Sequence, residues 1–261
     1  MNIAIVGATG NVGRKILEVL EKKELSFDNI YLVASSKSAG KKISFKDQKL
    51  EVFDLESFDF SKVKITFFAA GGKISEKFVE KAAKNSLVID SSSYFRMDPN
   101  VPLVVPQVNS EALKNIKKNI IANPNCSTAQ LVIALKPLHD LFIIKRVVVS
   151  TYQSVSGGGK APMDELIDQT KLVLDGKKVN SKNFTKQIAF NAIPHIDVFS
   201  DDGYTKEEIK MTNETKKILD DKIDLTATCV RLPISVSQAH PLLQLLGGAC
   251  SARVGRAQIQ F

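Results

Sequence analysis

Asn2-Ile3-Ala4-Ile5-Val6-Gly7-Ala8-Thr9-Gly10-Asn11-Val12-Gly13 carries an apolar run directly into a glycine-rich turn and then into a helical pattern. Residues 2–6 read as a buried strand, and residues 11–23 as a helix with Val12, Ile16, Val19 and Leu20 on one face. Glycines at such a junction let the backbone approach a pyrophosphate, while the helix N-terminus supplies free N–H groups and a partial positive charge. The G-x-x-G-x-x-G spacing alone is a weak signal and also fits a tight turn with no ligand. Its place between a first strand and a first helix makes it a dinucleotide cradle, with Gly7, Thr9, Gly10, Asn11 and Val12 as the expected contacts.

The pattern continues outward. Residues 29–34 and 64–70 read as strands, 75–85 as a helix and 87–89 as a further strand. Strands alternating with helices imply a parallel sheet with crossovers, here a Rossmann-type domain. The second strand runs into Ala34-Ser35-Ser36-Lys37-Ser38, where an NAD-preferring site would place an acid for the ribose hydroxyls. Hydroxyls and a cation stand there instead. Ser35, Lys37 and Ser38 point to a 2′-phosphate, hence NADP; a solvated polar turn is the alternative.

Composition excludes several classes. The 261 residues suffice for two ordinary domains, and no apolar run approaches the ~20 residues that cross a bilayer. A strand pattern at Met1 leaves no room for a signal peptide, and three cysteines without paired spacing fit a reducing cytoplasm. The net charge of +8 is spread among acids, so it suits small anionic ligands better than nucleic acid. No histidine, cysteine or carboxylate grouping has metal-ligand spacing.

The character changes near residue 122. Asn123-Pro124-Asn125-Cys126-Ser127-Thr128 is a turn opening a helix to about Asp140, with Leu131, Val132, Leu135 and Leu138 at helical spacing. Strands at 144–152 and 225–232 and helices at 161–174 and 205–219 follow, a mixed α+β arrangement. A cysteine at a helix mouth is favoured as the thiolate, the reactive nucleophile, although by position alone a packing cysteine is the commoner case. Cys229, inside an apolar strand, reads as core, and His139 and His195 read as structural.

These segments together resemble the aspartate-semialdehyde dehydrogenase family over residues 1 to about 234. The resemblance rests on residues 7–13, Ser91-Ser92-Ser93-Tyr94-Phe95-Arg96-Met97, Val101-Pro102-Leu103-Val104-Val105-Pro106, residues 123–128, Thr151-Tyr152-Gln153-Ser154-Val155-Ser156-Gly157, Ile193-Pro194-His195-Ile196, Glu207-Glu208-Ile209-Lys210-Met211 and Cys229-Val230-Arg231-Leu232-Pro233. It implies that the Cys126 thiolate attacks L-aspartyl 4-phosphate, that the thioester takes hydride from NADPH, and that L-aspartate 4-semialdehyde leaves. This is a step in lysine, threonine, methionine and diaminopimelate biosynthesis. It implies that Gln153 orients the acyl group, Arg231 grips the substrate carboxylate, Arg96 and Lys210 bind phosphate, and Glu207 meets the amino group. Gly71, Ser156 and Gly157 are implied as further cofactor contacts. A homodimer formed through the second domain is implied as well. Read without the family, Arg96 is a plain surface arginine, and Glu207 with Lys210 is an exposed i,i+3 pair.

Two departures shape the expectation. The family's acid/base histidine falls seven positions after the substrate arginine, where this chain has Gln238; His240 is two residues further on. A glutamine cannot shuttle a proton, and an offset of two strand residues, ~6–7 Å, exceeds hydrogen-bond reach. Gln107 also replaces an expected acid. Residues 235–261 contain no Asp, Glu or Lys, unlike the rest. The division expected is therefore 1–121 for NADP, 122–234 for an incomplete catalytic and dimerisation domain, and 235–261 as an atypical tail, cut short relative to the family. Weak or absent turnover is expected, with a dinucleotide-binding remnant and an N-acetylglutamyl phosphate reductase as the alternatives.

Overall fold

The structure, a computed structural model, describes residues 1–23 and 25–235 and the backbone of residues 242–246. Along the first part run β1 (Ile3–Val6), α1 (Asn11–Lys22), β2 (Ile30–Ala34), β3 (Lys42–Phe45), β4 (Gln48–Asp54), β5 (Ile65–Phe68), α2 (Gly72–Ala83), β6 (Leu87–Asp90), α3 (Pro106–Asn109) and β7 (Ile120–Ala122). Among the described residues these strands form one sheet of seven in the order β3-β4-β2-β1-β5-β6-β7. All its pairings are parallel except β3 with β4. β1 is buried at every position because both faces are covered. Ala4 and Val6 join the core that holds Phe68, Val79 and Val88, while Ile3 and Ile5 join the one that holds Leu17, Leu20 and Leu32.

The chain leaves β1 for β2 on one side and later reaches β5 on the other, so the strand order reverses at β1. A crevice forms beyond the carboxyl ends at such a switch point. Here it is a cavity of about 350 Å³ bounded by Gly7, Thr9, Gly10, Ser35, Ala69 and Ala70.

The phase of α1 differs from the expected apolar face. Val12 and Val19 are 52% and 45% exposed, and the buried residues are Gly13, Leu17 and Leu20. The cause is the close approach at Gly13, where a Cβ would lie 2.2 Å from the Gly7 carbonyl oxygen. The helix is seated by its smallest residue, and its apolar face rotates accordingly. The hairpin β3–β4 is an addition to the expected elements. Its tight turn places Lys46 at φ 50°, without the usual glycine or asparagine, and Lys46 N–H donates to Glu21 on α1 (2.9 Å).

The second part contains α4 (Cys126–Phe142), β8 (Arg146–Gln153), α5 (Lys160–Leu174), α6 (Lys206–Ile218), β9 (Asp224–Arg231) and β10 (Leu242–Leu246). β8 pairs with β9 in parallel along its whole length, from Arg146↔Asp224 to Gln153↔Arg231. β10 pairs antiparallel with the other edge of β8, so the sheet is mixed and residues 242–246 have a place in it. A core of Leu131, Leu135, Val149, Met211, Ala227 and Cys229 joins α4 and α6 to that sheet.

Gly13→Ala tests the cradle, because alanine is normally favoured over glycine in a helix by about 1 kcal/mol. The clash should reverse that sign. We expect lower thermal stability and weaker nicotinamide-dinucleotide binding in a fluorescence titration; a more stable variant with unchanged affinity contradicts the seating of α1.

Candidate active site

The mouth of α4 is built first by its cap. Asn125 is the N-cap residue, and its Oδ1 accepts the Ser127 N–H (2.9 Å) and lies 3.6 Å from Cys126 Sγ. Its side-chain amide donates to both oxygens of Glu207 (3.0 Å each). Its backbone N–H donates to Glu214 Oε2 (2.7 Å). Three faces of one residue are thus engaged, and the adjacent Cys126 is left exposed at the first position of the helix.

Gln153 and Arg231, far apart in sequence, are register partners at the carboxyl ends of β8 and β9. Both are buried. Gln153 Nε2 donates to Thr151 Oγ1 (3.1 Å) and to Glu207 Oε1 (3.3 Å). Arg231 donates to the Ser154 carbonyl, and its guanidinium faces Gly157, where a Cβ would lie 3.1 Å from Nη1. Burial pulls the Arg231 pKa down, against the opposing pull of Glu207 and of Cys126, so these groups share one electrostatic neighbourhood. Gly157 therefore belongs to the Arg231 wall, and neither Gly157 nor Ser156 is among the residues bounding the β1 crevice.

α6 contributes the carboxylates. Thr205 caps it, and Glu208 closes the capping box by accepting the Thr205 N–H on one oxygen (2.7 Å); its other oxygen accepts the Cys229 N–H (3.0 Å). Glu207, Met211, Glu214 and Ile218 share the buried face. The exposed i,i+3 pair is thereby excluded: Glu207 is buried, with Lys210 Nζ 3.5 Å away. Lys210 also binds Asp197 at 2.6 Å. Burial works against the ammonium, yet Asp197 and Glu207 outweigh it and hold the Lys210 pKa above the ordinary lysine value.

Arg96 is not a surface residue either. It is 8% exposed and donates to the Asn123 carbonyl (2.9 Å), to Glu214 Oε1 (2.9 Å) and to the Ser91 carbonyl (3.0 Å). Stranding either charge of the Arg96–Glu214 pair would cost about 3–5 kcal/mol. Sequence reasoning missed Glu214, Asp197 and the role of Asn125. Helical spacing from Glu207 through Met211 would have put Glu214 on the buried face.

The cofactor residues fall into place unevenly. Gly7, Thr9, Gly10 and Ser35 border the crevice, Asn11 and Val12 begin α1, and Gly71 precedes α2 with φ 86°. Lys37 and Ser38 lie in the turn beyond Ser35. The crevice fits a dinucleotide pyrophosphate: Gly7 has φ 87°, its Cβ would meet Ala69 O at 2.5 Å, and the first turn of α1 carries no acid. Behind Arg231 a cavity of about 630 Å³ is bounded by Val155, Pro162, Ile193, His195 and Asp197. His195 stacks on Phe199 (4.3 Å), and His139 lies 3.4 Å from Asp220. Among the described residues no cluster of three His, Cys, Asp or Glu could hold a metal, and no helix is long and apolar enough to cross a membrane. Gln238, His240 and Cys250 lie outside the described residues.

Comparison with known proteins shows the family of the chain. The family model for the semialdehyde dehydrogenase NAD-binding domain matches residues 2–116, and that for the semialdehyde dehydrogenase dimerisation domain matches residues 135–241. Aspartate-semialdehyde dehydrogenase 2 of Vibrio cholerae is 50% identical over 242 residues, covering 92% of this chain and 72% of its own length. The aspartate-semialdehyde dehydrogenase of Aquifex aeolicus is 53% identical over 237 residues, 89% of this chain and 70% of its own. The crystal structure of the V. cholerae aspartate semialdehyde dehydrogenase II complexed with ASA superposes with a TM-score of 0.87 at 50% identity, over 89% of this chain and 70% of that one. That of the Candida albicans enzyme with NADP gives 0.69 at 25% identity, over 96% and 72%.

The two described cysteines should differ sharply toward iodoacetamide. Burial pushes the Cys229 thiol up to about 12, and its sulfur packs on Met211 (3.7 Å). An unfolded thiol ionises near about 8.5. Between those values the native state keeps a proton that the unfolded chain releases, so this residue's contribution to stability is full below about 8.5 and falls as pH rises. Peptide mapping at pH about 9 should find Cys126 labelled and Cys229 labelled only after denaturation. Native labelling of Cys229 contradicts the assignment.

Proposed function

The chain belongs to the aspartate-semialdehyde dehydrogenase family, and from that premise we propose that it reduces L-aspartyl 4-phosphate to L-aspartate 4-semialdehyde through a thioester on Cys126, with NADPH as reductant. The observation that carries this reading is the exposed Cys126 at the mouth of α4, whose cap residue Asn125 binds Glu207, the partner of Gln153, and Glu214, the partner of Arg96.

Cys126 Sγ attacks the acyl carbon; the S–C bond forms and the bond to the phosphate oxygen breaks, releasing inorganic phosphate. Covalent catalysis of this kind divides one hard step into two easier ones. When bound, the reduced nicotinamide supplies the hydride that converts the thioester carbon to the aldehyde level. The C–S bond then breaks and the thiolate is restored. Gln153, fixed by Thr151 and Glu207, holds the acyl oxygen. Arg231 takes the α-carboxylate, a suitable partner for a planar guanidinium. Arg96 and Lys210 take the phosphate, which must compete with Asp197 for Lys210. Glu207 meets the amino group, which favours a free amino acid over N-acetylglutamyl phosphate. Gly7, Thr9, Gly10, Asn11, Val12, Gly71, Ser156 and Gly157 would hold the dinucleotide. Ser35, Lys37 and Ser38, with no acid among them, favour NADPH over NADH. A cytoplasmic homodimer acting in lysine, threonine, methionine and diaminopimelate biosynthesis completes the proposal.

A second reading, dinucleotide binding with little turnover, is favoured by Gln238 at the position of the family's histidine. General acid–base catalysis contributes about 10²–10⁴-fold, and glutamine supplies none of it. Following NADPH oxidation separates the readings. We expect slow turnover of aspartyl phosphate, none of N-acetylglutamyl phosphate, none in Cys126→Ser, and kcat raised about 10²-fold or more in Gln238→His. Turnover unchanged in Cys126→Ser contradicts the thioester; NADPH binding with no turnover in any variant favours the remnant.

A further inference from the structure

The phosphate reading leaves one charged group without a task. Glu214 is 1% exposed, too deeply buried to meet a substrate, yet its two oxygens are divided between two parts of the site. Oε1 accepts from Arg96 Nη1 (2.9 Å), and Oε2 accepts the backbone N–H of Asn125 (2.7 Å), the residue that caps Cys126. The same loop is held a second time, because Arg96 Nε donates to the Asn123 carbonyl (2.9 Å). Residues 123–125 are therefore gripped at both ends by one buried ion pair.

The arrangement also fixes where Arg96 points. Of its five N–H groups, three are directed at protein oxygens: the Asn123 carbonyl, the Ser91 carbonyl and Glu214. Among the described residues, one N–H on each Nη has no protein partner, and the pair is suited to a phosphate. One turn further along α6, Lys217 Nζ donates to the carbonyls of Arg96 (2.7 Å), Asp98 (2.7 Å) and Val101 (2.9 Å), seating the Arg96 loop without touching the guanidinium.

We propose that Glu214 is a positioning residue for acyl-phosphate recognition: it aims the two free N–H groups of Arg96 at the phosphate and, through Asn125, holds that cation and the Cys126 sulfur in one fixed relation. The inference rests on the reading of Arg96 as a phosphate-binding cation. Glutamine at this place keeps the shape but presents an amide NH₂ to one of two donors, releasing either Arg96 or Asn125.

Inorganic phosphate is the probe. In the full chain, its dissociation constant is read from protection of Cys126 against iodoacetamide, which requires no turnover, and NADPH binding is read by fluorescence. Glu214→Gln should weaken phosphate about tenfold or more, the scale of a lost charge-assisted hydrogen bond, with NADPH affinity unchanged. Because Glu214 acts through Arg96, the double variant Arg96→Ala, Glu214→Gln should bind phosphate no more weakly than Arg96→Ala alone. Lys217→Met should lower the melting temperature and leave phosphate affinity unchanged. Should Glu214→Gln fail to fold, Glu214→Asp carries the same comparison. Unchanged phosphate affinity in a folded Glu214 variant, additive losses in the double variant, or an equal phosphate loss in Lys217→Met overturns the inference alone. Failure of phosphate to protect the unmodified chain overturns the phosphate reading and this inference together.

Discussion

The first turn of α4 is held open by two buried carboxylates that meet on one asparagine. A helix N-terminus leaves backbone N–H groups without intrahelical partners, and these attract negative charge. Here the negative groups do not occupy the mouth. Glu207 takes the Asn125 side-chain amide and Glu214 takes its backbone N–H, both from the flank, so Cys126 stays exposed. Moving either carboxylate by one helical turn would release the cap and change the direction in which the sulfur faces.

That clamp depends on a helix with an unusual buried face. Burying a carboxylate costs several kcal/mol unless it is fully paired, and α6 buries Glu207, Glu208 and Glu214. Each is compensated differently. Glu207 accepts from Asn125 and Gln153, Glu208 closes the cap of its own helix and takes the Cys229 N–H, and Glu214 pairs with Arg96. The parallel pairing of β8 with β9 then brings Gln153 alongside Arg231. Met211 and Cys229 in the core beneath fix the distance between helix and sheet. The site is thus an outcome of packing: polar groups lie on faces otherwise made of Leu, Val and Met.

Much of this was legible in the sequence because the relevant signals are local. A β-branched strand followed by glycines and a helix specifies the cradle, and the turn at residues 123–128 specifies a helix with a thiol at its start, although not that Asn125 caps it. What was hidden depends on contacts between distant segments. The phase of α1 was misjudged because Gly13, the least apolar member of the face, makes the closest approach. The β3–β4 hairpin turns without a glycine or asparagine and uses Lys46 at positive φ, a choice stabilised by Glu21 from another element. Arg96 and Glu207 looked like surface charges because their partners come from distant segments: helical spacing could have buried Glu214, but nothing local pairs it with Arg96 or pairs Glu207 with Asn125. The closeness of Gly157 to Arg231 came only from the pairing of distant strands, which no local pattern announces.

The central claim is that Cys126 is the group that becomes acylated. The most direct measurement is intact-mass and peptide analysis of the chain after mixing with aspartyl phosphate in the absence of reductant. The account predicts an aspartyl adduct on Cys126 alone, formed in step with phosphate release and discharged on adding NADPH. Phosphate release with no adduct, or an adduct on another residue, would contradict it.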